Sequence, residues 1–291
     1  MAKNKVKVKG LDRSLSVGAR RTIAYVTLVL ISILCLFWFY VLFVNATRSH
    51  GEMTKGFTPI PSTHLWENWI NGVVNNRTIR FVRGMFNSLF VATSNAVICT
   101  YFSTMTAYAI HAYRFKGRDF IFTFILLIMT IPTQISAMGF INLVEKMNLM
   151  NSYIPLIVPA IAAPATFFYM KQYMESALPL SLIEAARIDG SGEFNTFNRI
   201  VLPLMKPAIA VQLIFGFVGN WNNYFTPALI LKGDKATLPI MIALLRSADF
   251  LKFNMGHVYV AIAFSIFPVI VVYLILSKHI VQGVAMGSVK G

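Results

Sequence analysis

Uncharged apolar runs of roughly twenty residues recur six times along the chain, separated by polar or proline-bearing stretches. They cover residues 23–44, 86–109, 120–140, 154–170, 208–231 and 258–277. The second is dotted with Ser, Thr and Asn; the third holds Pro132 and Gln134 in its second half; the fourth holds Pro155, Pro159 and Pro164. A run of this length spans the hydrocarbon of a bilayer as one α-helix. Prolines at this density suit helices that pack on other protein, where the freed carbonyls find partners. The pattern therefore predicts an all-α integral membrane protein with six transmembrane helices, and an even count puts both termini on one side.

Charge fixes which side. Only 13% of the residues are charged, against about a quarter in a soluble domain, so lipid is the main solvent of this chain. The net charge of +15 belongs to basic loops that orient a membrane protein, and no nucleic-acid partner is expected. Lys3, Lys5, Lys7, Lys9, Arg13, Arg20 and Arg21 precede the first run. The run itself is too long for a signal-peptide core, although Val44-Asn45-Ala46 loosely resembles a cleavage site. With the N-terminus inside, about 16 Lys/Arg fall on the cytoplasmic side and about 10 outside, where Arg77, Arg80 and Arg83 dilute the bias. Both termini are thus expected in the cytoplasm of a cell with a multi-pass protein in its cytoplasmic membrane. The expected organisation is a basic N-terminus (1–22), a first helix (23–44), an extracytoplasmic loop (45–84), a core transmembrane domain (85–278) and a cytoplasmic tail (279–291). Trp66 and Trp69 in the outer loop read as interface anchors. Cys35 and Cys99 sit inside apolar runs, and the five histidines lack metal-ligand spacing, so neither a disulfide framework nor a metal site is expected.

The longest cytoplasmic loop, 179–206, carries the functional signal. Ser181 followed by Glu184 reads as a capping box that starts a helix, and Gly190 suits the left-handed residue that ends one. Two turns do not persist alone in water, so the helix is expected to dock on something. A second amphipathic stretch puts Phe194, Phe197, Ile200 and Val201 on one face, and Pro203 and Pro207 bound the entry to the fifth run. On these features alone the loop is either a docking element or an ordinary connector.

Glu184, Ala185, Ala186, Asp189 and Gly190, then Ile200, Leu202 and Pro203, resemble the EAA motif of ABC importer permeases, with Ser191 where that family often has Ala. Asn87-Ser88-Leu89, the segment Trp221-Asn222-Asn223-Tyr224 with Pro227, Thr237-Leu238-Pro239 and the Gly-rich tail 282–291 extend the likeness to the carbohydrate branch. Val284 and Met286 depart from the tail's commonest spelling. The chain is identified as resembling a MalG-type permease with a MetI/MalG-like fold. That resemblance implies that the loop couples to a separate ATPase through the eight motif residues. It also implies a second, MalF-like permease, two ATP-binding cassette ATPase subunits that hold ATP and Mg, and an extracytoplasmic sugar-binding protein. The tail either touches the ATPase pair or is a frayed end.

No G-x-x-x-x-G-K-[ST] loop is present, and the acidic residues offer no carboxylate pair for hydrolysis, so the chain is expected to be a transport subunit without enzymatic activity or cofactor of its own. Gln134, Asn220, Asn222 and Asn223 offer hydrogen bonds to sugar hydroxyls, and Trp221 and Tyr224 offer faces to sugar rings. Such polar groups also join helices within membranes, the reading preferred for Asn95 and Gln212. An ion-coupled secondary transporter would place ionisable residues inside its spans, and the six runs hold no Asp, Glu, Lys or Arg. An ABC permease for a non-sugar solute and a membrane scaffold remain as alternatives; the scaffold gives no reason for proline-broken, polar-dotted spans.

Overall fold

A computed structural model of the chain describes residues 17–76, 79–246 and 254–287, with side chains described only within 18–132, 135–246 and 254–280. The basic positions up to Arg13, Arg77 and the end of the tail lie outside the described residues. All regular elements among the described residues are helical. Four helices are long and apolar enough to cross a membrane: Gly18–Ala46, Phe81–Ala112, Ile154–Ala177 and Met255–Ile280. The first two, extended to their full bounds, are α1 (Val17–Ala46) and α2 (Phe81–Ala112).

The third, fourth and fifth expected spans are helical but interrupted, and prolines stand at the breaks of the third and fourth. The third is split into α3 (Arg118–Ile128) and α4 (Thr133–Lys146), because Pro132 sits extended at φ −62°, ψ 125° and opens α4 instead of continuing α3. In the fourth, Pro155 opens a helical turn, Pro159 a 3-10 turn over Val158–Ile161, and Pro164 the helix α5 (Pro164–Ala177). Each proline stands at the start of its element, where its missing N–H costs nothing. After the loop helix α6 (Leu180–Ile188) comes α7 (Lys206–Trp221), which ends ten residues before the fifth apolar run does. Asn222 and the next two residues leave the helix, and a separate short helix covers Phe225–Ile230. The sixth span is α8 (Met255–Ser265) followed by α9 (Phe267–Gly287).

α2 is the axis of the packing. Its buried face is built from small residues, among them Ala92, Ala96, Ser103, Thr104 and Ala107. These allow α7 close enough that a Cβ on Gly216 would meet the Cα of Ala96 at 3.3 Å. By contrast α1 exposes Leu28, Leu34, Leu36 and Trp38 around its circumference, a surface that only lipid or another chain tolerates.

The outer loop is more ordered than its polar composition promises. Ser49 caps the helix His50–Thr54 through a capping box with Glu52, whose carboxyl is held below its ordinary range first by the Ser49 backbone N–H. Buried Arg48 binds the Asn45 side chain and the carbonyl of Gly56, and buried Asn68 donates to the carbonyls of Ala46 and Arg48. Trp69, expected at the lipid interface, instead packs on Phe264 with centroids 3.9 Å apart, while Trp66 stays exposed. Arg80 and Arg83 both reach Asp234, at 2.9 and 2.7 Å, which offsets part of the outer positive charge that blurred the orientation signal.

Candidate functional site: the loop helix and the central cavity

The loop helix α6 is seated by two residues and presents the rest. Ile183 is buried in a cluster with Ala107 of α2, Met174 of α5, and Leu178 and Met205 beside the ends of α5 and α7, and Ala186, one turn on, is buried as well. Glu184, Ala185 and Asp189 point outward. Ile188 is 86% exposed and Phe194 70%, a pair of large apolar side chains at an aqueous boundary that nothing among the described residues covers.

Two details correct the sequence reading. The expected capping box does not form: Pro179 occupies the N-cap with extended backbone, no side chain caps the helix, and Ser181 falls inside the first turn. Gly190 does end it, at φ +77°. The amide of Gly190 bonds the carbonyl of Arg187 and that of Ser191 the carbonyl of Ala186, the paired closure that a left-handed residue permits. Second, Phe194 leaves the face on which the α-helical period places it. Residues Phe197–Val201 form a π-turn, which moves the buried set to Thr196, Phe197, Val201 and Met205. Ile200 is half-buried, and Leu202 and Pro203 open the short helix that turns by 82° into α7.

A network missed by the sequence reading surrounds this loop. Arg187 Nε lies 2.7 Å from Glu193 Oε1, and the Tyr108 hydroxyl donates to Glu193 Oε2 at 2.9 Å. The Arg187 guanidinium also stands over the Tyr113 ring at 5.0 Å. The Arg187 hydrogen bond holds the Glu193 carboxyl below its ordinary range, and the same bond raises Arg187, so both stay charged. Opposite charges flanking a predicted glycine turn were the only trace of this network in the sequence.

Deeper in the bundle, α2, the broken third and fourth spans and the end of α7 enclose a cavity of about 890 Å³. Its lining is apolar with interspersed amides and hydroxyls, including Ser88, Asn95, Ser136, Asn220, Asn223 and Thr237, and contains no acidic or basic side chain among the described residues. Asn220 donates to Asn95 at 2.8 Å, and Asn95 to the Leu156 carbonyl at 2.8 Å. The buried Thr237 hydroxyl has no hydrogen-bond partner among the described residues.

The candidate path residues are thereby divided. Asn220 and Asn223, three apart, face this cavity. Trp221, Asn222 and Tyr224 border a separate recess beside Pro239 and Arg246. Trp221 is only 3% exposed; its indole N–H donates to the Ser265 carbonyl and its ring stacks on Phe217, so it offers no open face to a sugar in this conformation. The reason is local: Asn220 and Trp221 are neighbours on the last turn of α7 and so point to different sides, and Asn222, Asn223 and Tyr224 follow in the non-helical break. The Gln134 side chain lies outside the described residues.

Residues 100–286 match the model of the family described as binding-protein-dependent transport system inner membrane component. The chain belongs to this family. It is 32% identical over 270 residues to the arabinooligosaccharides transport system permease protein AraQ of Bacillus subtilis (strain 168), covering 90% of this chain and 93% of that one. The sn-glycerol-3-phosphate transport system permease protein UgpE of Yersinia pestis is 34% identical over 268 residues, covering 89% and 94%. A crystal structure of a bacterial ABC transporter involved in the import of the acidic polysaccharide alginate contains a similar chain. The TM-score is 0.74 at 22% identity, over 91% of this chain and 98% of that one, and that likeness bears on the fold.

As an inner membrane component of a binding-protein-dependent system, the chain is a multi-pass transport subunit; the loop lies inside the matched region, as does the cavity wall apart from Ser88, Val91 and Asn95. The helical membrane fold expected from the sequence is the fold of the family. Four segments are long and apolar enough to cross a membrane, and the third and fifth runs are split into shorter helices, an arrangement consistent with six crossings.

Proposed function

We propose that the chain is one of two permeases in an ATP-driven importer of sugars or oligosaccharides, coupled through its cytoplasmic loop to a separate ATPase. The observation that carries this reading is the seating of α6. Ile183 and Ala186 fix it to the bundle, while Glu184, Ala185, Asp189 and Ile188 are left facing away from it. A two-turn helix held in this way, with large apolar side chains uncovered at the membrane edge, fits a cleft on a partner protein. In this reading the partners are a MalF-like permease, two ATPase subunits that carry ATP and Mg, and an extracytoplasmic sugar-binding protein.

The likeness to AraQ favours an oligosaccharide as the solute, and the cavity chemistry agrees. The amides of Asn220 and Asn223 in an uncharged wall suit a neutral polyol, whereas an anion crossing the same wall would find no described cation to offset its desolvation. The likeness to UgpE favours instead a glycerol phosphate. Uptake by membrane vesicles offered labelled arabinotriose or labelled glycerol 3-phosphate separates the two.

The partner assignment is tested by tagging this chain, extracting it in mild detergent and identifying its companions by mass spectrometry. Recovery of a P-loop ATPase with a second permease is the expected result. Recovery of the chain alone across several detergents, with the binding protein supplied, overturns the assignment.

A further inference from the structure

The loop helix is joined in sequence to α5 on one side and, through the short helices after it, to α7 on the other. Neither neighbour is built to carry a displacement across the bilayer. α5 is cut off from the outer half of its span by the 3-10 turn Val158–Ile161 and the non-helical residues before Pro164. α7 is reached only through an 82° bend. A break of either kind turns a push at one end into a local flex.

The side chains fasten the loop to a third helix, remote in sequence. Two residues before α6, at the C-cap of α5, the His111 Nε2 lies 3.0 Å from the Leu178 carbonyl, which the imidazole N–H must therefore donate to. Beyond its end, Glu193 spends one carboxylate oxygen on Arg187 of α6 and the other on the hydroxyl of Tyr108. His111 and Tyr108 both belong to the last turns of α2, and Tyr113, under the Arg187 guanidinium, is its C-cap. Both ends of the loop helix are thus tied to the same end of α2. An exposed Arg–Glu pair alone adds little stability; what distinguishes this one is its buried third member, Tyr108.

α2 also reaches the other end of the problem. It runs without a break for 32 residues, which at helical rise is about 48 Å. Its outer half lines the cavity with Ser88, Val91 and Asn95, and Asn95 is in turn bonded to α7 and the fourth span. Among the described helices it is the unbroken one that touches both the loop and the cavity.

We propose that α2 is the lever that carries movement of the loop helix into the cavity, and that Glu193 is the positioning residue that fastens the two. This rests on the coupling role proposed above. Movement of α6 by its partner pulls on Tyr108 through Glu193 and on α2 as a rigid rod. The displacement arrives at Val91 and Asn95, and the Asn95–Asn220 bond hands it to α7.

The test uses the complete importer in proteoliposomes, with Cys35→Ser to remove the exposed thiol and Val91→Cys as a reporter on the cavity wall. The readout is the rate of maleimide labelling with and without ATP plus vanadate. In this parent the rate should change several-fold on trapping. Glu193→Ala should abolish the change while the ATPase stays bound, and the charge swap Arg187→Glu with Glu193→Arg should restore most of it. A merely structural role lowers the yield of complex and leaves the labelling response of the assembled fraction intact. Should Glu193→Ala fail to assemble, Tyr108→Phe, which removes one hydroxyl, should blunt the response by itself. An undiminished response in assembled Glu193→Ala or Tyr108→Phe overturns the lever. Absence of any response in the parent, with the ATPase present, overturns the coupling reading and the lever together.

Discussion

Asn220 of α7 donates a 2.8 Å hydrogen bond to Asn95 of α2, whose own amide donates to the Leu156 carbonyl, so two side chains clasp three spans around the cavity. In hydrocarbon such bonds contribute about 0.6 kcal/mol on average and up to about 1.7. Asn220→Ala is expected to destabilise the detergent-solubilised protein within that range. The double variant with Asn95→Ala should cost clearly less than the sum of the single changes, because the two residues share one bond. Thermal unfolding followed by tryptophan fluorescence measures both, and simple additivity contradicts the clasp.

Gly190 closes the loop helix at φ +77° with open space where a Cβ would stand. Gly190→Ala therefore meets only the left-handed backbone penalty, about 1 kcal/mol, and should leave transport largely intact. Gly190→Pro demands φ near −65°, which the closure does not allow, and also removes the amide that bonds Arg187. Transport should be lost while membrane insertion persists. Solute uptake and membrane fractionation read the two effects separately, and normal uptake by the proline variant contradicts the role given to this turn.

The outer loop is locked to α8 by two close approaches. A Cβ on Gly256 would stand 2.5 Å from Asn68 Oδ1 and 2.8 Å from the Arg48 carbonyl, and one on Gly72 would stand 2.9 Å from the His257 Cα. Backbone atoms yield little, so Gly256→Ala and Gly72→Ala should each cost about 1–3 kcal/mol or more. Gly139, in α4 with nothing near, is the control, and Gly139→Ala should be neutral or mildly stabilising. Detergent melting temperatures rank the three.

The Glu193 carboxyl titrates below its ordinary range because Arg187 holds it ionised. A group depressed in the folded state stabilises above its unfolded pKa and loses that contribution only as pH falls through the depressed value. The fastening should be indifferent to pH between about 7 and 5 and loosen only below about 4. Hydrogen exchange of residues 190–196, corrected for intrinsic rates, should show no loosening in the upper window; loosening near pH 6 contradicts the assignment.

The helices were legible because an uncharged run long enough to span hydrocarbon has few other solutions. Their interruptions were not. The prolines were visible, but whether Pro132 or Pro164 ends a span depends on which stands extended at a helix start, a matter of tertiary packing. The end of α7 at Trp221 was hidden because the apolar run continues through the break to Leu231. At the loop, the glycine stop could be read since few other residues adopt its backbone, whereas the start went to Pro179 and the Ser181–Glu184 pair stayed unused. Phe194 was misplaced because a π-turn has no distinct sequence signature. The Tyr108–Glu193 contact bridges 85 residues, a separation that no local pattern encodes.

The central claim is that the outward face of α6 docks on an ATPase, and site-directed cross-linking in intact membranes tests it most directly. In a Cys35→Ser background, Ala185→Cys and Ile188→Cys sit on the exposed face and Ile183→Cys on the buried one. Labelled with benzophenone-4-maleimide and illuminated, Ala185→Cys and Ile188→Cys should each join this chain to a P-loop ATPase, and Ile183→Cys should not. No ATPase adduct from either exposed position, or equal adducts from the buried one, would contradict the account.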